Sequence, residues 1–170
     1  MKTKNRTKKI AFLGLLASFA MVLSYLEYLL PPIYAALPGI KMGLPNIVII
    51  FTLYRFGARE AIGVSLVRLV CVSLLFGNPV TFLYSLAGAI LSLSLMILLK
   101  AVRCFSPVAV SAVGGIAHNL GQILVAILVL RTSQIAYYMI VLTFTGTVAG
   151  LLVGLAGFYL LKLLSRIELN

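Results

Sequence analysis

The chain has 170 residues, 62% of them hydrophobic and 10% charged, with a mean hydropathy of +1.16. Soluble domains carry about 25% charged residues, so this composition excludes a water-facing globule and implies one integral membrane domain over residues 1–170. Fourteen Lys and Arg stand against three acids, for a formal charge of +11, but they sit at the ends of apolar runs, which is the pattern of membrane topology and not of a nucleic-acid partner.

Apolar runs of about twenty residues predict transmembrane helices. The first, at 10–30, follows the basic head KTKNRTKK and exceeds the roughly 7–15-residue apolar core of a secretory signal, so a retained helix is expected. Pro31, Pro32, Pro38 and Pro45 then break the chain. Further spans are expected at 42–54, 58–76, 80–99, 107–130 and 135–161, which makes an all-α, polytopic bundle of six transmembrane helices in a lipid bilayer. With the N-terminus inside, eleven Lys and Arg fall on the inner side, and only Lys41 and Arg131 on the outer, with Arg68 on neither. Both termini are therefore expected in the cytoplasm, with the protein in the cell membrane.

The second span is short. Lys41 and Arg55 are about 21 Å apart along a helix, against a hydrocarbon core of about 30 Å. Two readings stand: residues 31–46 dip inward to line or cap a pocket, or the span tilts and Lys41 snorkels.

Several polar groups lie deep in the apolar runs. Arg68 is about 12 Å from Glu60 and about 14 Å from Gly77 along a helix, near mid-membrane. An arginine there needs a partner. Glu27, on the outer half of the first helix, is the acid at similar depth, so a Glu27–Arg68 pair and an anionic ligand group on Arg68 are both open. In GGIAHNLGQ, residues 114–122, the sole histidine, His118, shares a helix face with Gln122, and Asn119 is turned about 100° away. These side chains are expected either to bond between helices or to line a binding surface. Small residues form flat ridges on the first helix (Ala11, Gly14, Ala17, Ser18) and on the last (Gly146, Gly150, Gly154). The first suits partner docking or internal packing, and the second internal packing.

Catalytic machinery is not legible. The chain has no aspartate and no GxxxxGK[ST] loop, so Mg²⁺-holding carboxylate clusters, a Ser-His-Asp triad and ATP hydrolysis by a phosphate loop are all excluded. One histidine and two distant cysteines, Cys71 and Cys104, make no metal site. No enzyme activity, cofactor or metal is expected.

PGIKMGLPN (38–46), GNP (77–79) and GGIAHNLGQ (114–122) resemble stretches of the membrane-protein family labelled "Gx transporter family" or "heptaprenyl diphosphate synthase component I", over about residues 8–165. In size and helix count that family is similar to the S components of energy-coupling factor transporters. The resemblance implies an S-component-like bundle with a ligand site in its outer half, capped by the loop after the first helix. It also implies coupling to a transmembrane scaffold protein and cytoplasmic ATPases. The AxxxA docking pattern of S components has its nearest match in Gly14-xxx-Ser18, which departs from it.

The leading expectation is a substrate-binding membrane subunit of a transporter that takes up a small anionic or polar-aromatic molecule. Its pocket would be lined by Lys41, Asn46, Arg68, Asn78, His118, Asn119 and Gln122. The alternative is a non-catalytic accessory subunit of heptaprenyl diphosphate synthase, since prenyl-chain elongation needs aspartate-rich motifs that this chain lacks. A third is a structural membrane subunit without a ligand.

Overall fold

The computed structural model of the chain describes residues 2–29 and 43–165, which fold as helices and short turns. Helix α1 spans Lys2–Leu29 and runs back through the basic head, where no glycine or proline interrupts it. Helix α2, Asn46–Arg55, begins after a turn in which Gly43 has φ of +85°, a conformation that favours glycine. Its chain bends back at Gly57, with φ of +119°, into α3, Ala58–Phe76.

Helix α4, Pro79–Val102, is started by Asn78, whose Oδ1 accepts from Thr81 N at 2.8 Å while Thr81 Oγ1 accepts from Asn78 N at 3.0 Å. This reciprocal capping satisfies two donors that a helix start would otherwise leave bare. At α5, Pro107–Leu130, the cap is one-sided: Ser106 Oγ accepts from Ala109 N at 3.2 Å. A 3₁₀ turn at Ser133–Tyr137 leads into α6, Tyr138–Leu164.

Six α-helices are thus found among the described residues, but only four stretches are long and apolar enough to cross a membrane: Arg6–Leu29, Pro79–Val102, Pro107–Leu130 and Ser133–Leu164. This corrects the expected six spans. Although α3 is 19 residues long, any 18-residue stretch of it contains Arg59, Glu60 and Arg68. Helix α2, with 10 residues, rises only about 15 Å, half a bilayer core. Val48 to Leu53 are all buried, so every face of its middle meets protein, as befits a helix in a core.

The bundle packs α5 tightly between α4 and α6, with α2 held among α1, α3 and α6. Glycines set the close approaches. A Cβ on Gly121 would stand 2.6 Å from the Ala87 carbonyl oxygen of α4, and one on Gly150 2.7 Å from Ala112 Cα of α5. Gly154 likewise meets Val108, so the α6 glycine ridge lies against α5. One apolar cluster surrounds α2, and a second joins Tyr84, Ile123, Ala126, Ile135 and Leu142 towards the other end.

Candidate functional site

A set of buried polar side chains runs through the bundle: Ser24 and Glu27 on α1, Thr52 on α2, Ser65 and Arg68 on α3, Ser92 on α4, and Ser111, His118, Asn119 and Gln122 on α5. Its best-defined part is on α1 and α3. Arg68 Nη1 donates to Ser24 Oγ at 3.3 Å, and Ser24 in turn donates to the Ala20 carbonyl at 2.9 Å. The Glu27 carboxylate accepts from the backbone N–H of Gly43 and acts on the Arg68 guanidinium through its charge. Arg68 Nε is buried without a hydrogen-bond partner. Burying a charged guanidinium costs free energy unless it is paired, and one hydroxyl plus one carboxylate charge offset part of that cost.

Glu27 has a second effect. By holding Gly43 it fixes where α2 starts, and Asn46, the first residue of that helix, packs over the same turn: a Cβ on Gly43 would stand 2.9 Å from Asn46 Nδ2. Asn46 also lines a void of about 10 Å³ with Ser92, Ser111, Gly114 and Gly150. That is the room a single water needs. The buried Ser92 hydroxyl on its wall has no hydrogen-bond partner.

The other expected site residues go elsewhere. Asn78 is exposed at the α4 cap. Asn119 donates to the Leu142 carbonyl of α6 at 2.8 Å, while His118 faces Gly88 of α4, where an added Cβ would stand 2.8 Å from its ring. Gln122 is fully buried one turn further along α5. Lys41 lies outside the described residues. The α5 triplet therefore splits between two neighbouring helices, and Asn46 alone of the expected set reaches the small void. On α1, Ala11, Gly14 and Ser18 are exposed, and a Cβ on Gly14 would meet nothing within 4 Å. Ala17 instead joins the core around α2.

Sequence reasoning passed over Ser24, which stands one turn before Glu27 on the same face of α1 and was legible from that spacing. It also passed over two contacts at the basic end of the bundle. Lys9 pairs with Glu60 at 2.5 Å, and Lys100 donates to the Leu53 carbonyl while lying 5.1 Å from the Tyr54 ring centre. No local pattern announces contacts between residues so far apart in the chain. Among the described residues, no three of His, Cys, Asp and Glu come together as a metal could require.

Four helical stretches long and apolar enough to cross a bilayer, in a bundle that also buries several polar side chains, define a polytopic α-helical membrane protein. The family model described as heptaprenyl diphosphate synthase component I matches residues 16–160, and the chain belongs to that family. A search of curated proteins and a search of solved structures find no match.

Proposed function

We propose that the chain is a non-catalytic membrane component that works beside a soluble prenyl diphosphate synthase. The family match over residues 16–160 carries this reading. The absence of any aspartate assigns the chemistry to a partner, because a diphosphate-bound Mg²⁺ needs carboxylate ligands. The basic end of the bundle, taken as cytoplasmic from the Lys/Arg bias, is the face such a partner would meet. Affinity purification of the tagged protein from membranes tests the proposal. A soluble prenyl synthase is expected to co-purify, and recovery of ATPases in its place would overturn it.

A second reading, an S-component-like importer subunit serving a scaffold protein and ATPases, is favoured by one observation. Arg68 is a buried cation with an unpartnered Nε and a carboxylate charge nearby, an arrangement suited to the anionic end of a small solute. Thermal melting of the purified protein against vitamins and flavins checks it. Stabilisation by one of them that is lost in Arg68→Gln would support this reading, and no stabilisation by any of them would remove it.

A further inference from the structure

Helix α4 packs closely on α5 but only loosely on α3, and the seam between α3 and α4 is a groove enclosing about 210 Å³. Its walls are two facing stripes at helical spacing, Ile62, Leu66 and Leu69 on α3 and Leu86, Leu93 and Ile97 on α4. Eight of the ten lining residues are apolar, the others being Ser65 and Ser94. Leu69 and Leu93 form a buried floor, whereas Leu66 (49% exposed) stands at the rim. The wall from Leu86 to Ile97 is about 16 Å long. A compact polar solute needs convergent polar groups to fix it. A long, narrow trough without them suits a slender hydrocarbon chain lying along the bundle.

The groove ends at the basic end of the molecule. Arg59 precedes Ile62 by three residues and Lys100 follows Ile97 by three, which puts each cation on the same helix face as the lining residue. Arg55, Arg59 and Arg103 are exposed there, and the acid among the described residues at that end, Glu60, is already held by Lys9. Exposed positive charge on Arg59 and Arg103 therefore lies where a chain lying in the groove would carry its head.

We infer that the α3–α4 groove binds a linear isoprenoid chain, with its diphosphate at Arg59 beside the basic end. The inference rests on the family reading above for its choice of an isoprenoid over an acyl chain.

A photoactivatable, diazirine-bearing geranylgeranyl diphosphate, added to the purified protein in nanodiscs, tests it. Cross-links are expected within residues 62–69 and 86–97, displaced by unlabelled geranylgeranyl diphosphate and not by excess phosphatidylglycerol. Ala89, on the groove wall, offers the blocking variant: Ala89→Phe is expected to cut labelling by about fivefold or more at unchanged melting temperature, and Ala89→Gly to retain it. Should Ala89→Phe not fold, Leu66→Trp at the exposed rim serves the same purpose. Arg59→Gln is expected to weaken the diphosphate about tenfold and to leave geranylgeraniol unchanged. Labelling undiminished in the blocking variant, or displaced equally by phosphatidylglycerol, overturns the inference and leaves an ordinary lipid-facing seam. Groove labelling without co-purification of a synthase would remove the proposed partner and keep the groove. Co-purification without groove labelling would do the reverse.

Discussion

Asn119 and Gly146 form one device: the Asn119 amide donates to the Leu142 carbonyl at 2.8 Å, and a Cβ on Gly146, one turn along α6, would stand 2.6 Å from that same amide nitrogen. The hydrogen bond exists because the glycine leaves room for it. Interhelical hydrogen bonds in membranes contribute about 0.6 kcal/mol on average, so Asn119→Ala should cost on that order. Gly146→Ala should cost more, about 1–3 kcal/mol, by forcing the amide aside. The double variant should cost less than the sum, as read by chemical unfolding in detergent. Additive losses would show that the two positions act independently.

Arg68 and Glu27 are expected to be coupled in the same way, through charge. Glu27→Leu removes the acceptor of Gly43 N–H and leaves a buried cation uncompensated, which should destabilise by about 3–5 kcal/mol. Adding Arg68→Met should restore part of that loss, with a coupling energy of at least about 1 kcal/mol. A double variant no more stable than Glu27→Leu alone would show that Arg68 is compensated by other groups.

Asn78 should behave as a helix cap. Asn78→Ala is predicted to lower stability by about 1 kcal/mol, and Asn78→Asp to be nearly neutral, because either side chain can accept from Thr81 N–H. Differential scanning fluorimetry compares the two. An Asn78→Ala protein that melts like the parent would place the start of α4 under other control.

The orientation can be read from two free cysteines. Cys104 is exposed in the turn after α4, at the basic end, and Cys71 lies within α3. A membrane-impermeant maleimide should label Cys104 in inside-out vesicles and not in right-side-out ones, with a Cys104→Ser variant unlabelled in both. Labelling of Cys104 from outside would invert the topology.

Much of the fold was legible because hydropathy and helix breakers are local. The expected limits 58–76 and 107–130 coincide with α3 and α5, since Gly57, Gly77, Ser106 and Pro107 mark those ends in the chain itself. The α6 glycines at four-residue spacing announced a flat face, and that face packs on α5. The candidate site was far less legible. His118, Asn119 and Gln122 are neighbours in sequence, yet His118 faces α4 and Asn119 bonds to α6, because positions about 100° apart on a helix meet different partners.

From the sequence alone followed the membrane class, the approximate positions of the helices and the basic end, all of which depend on residue type and local order. Only the tertiary structure decided that α2 is a buried half-length helix, that Arg68 reaches Ser24 across 44 residues of chain, and that α3 and α4 part to leave a groove. Those outcomes depend on how helix faces pack against one another, and a one-dimensional pattern of apolar and polar residues holds a helix's faces but not the neighbour each face will meet.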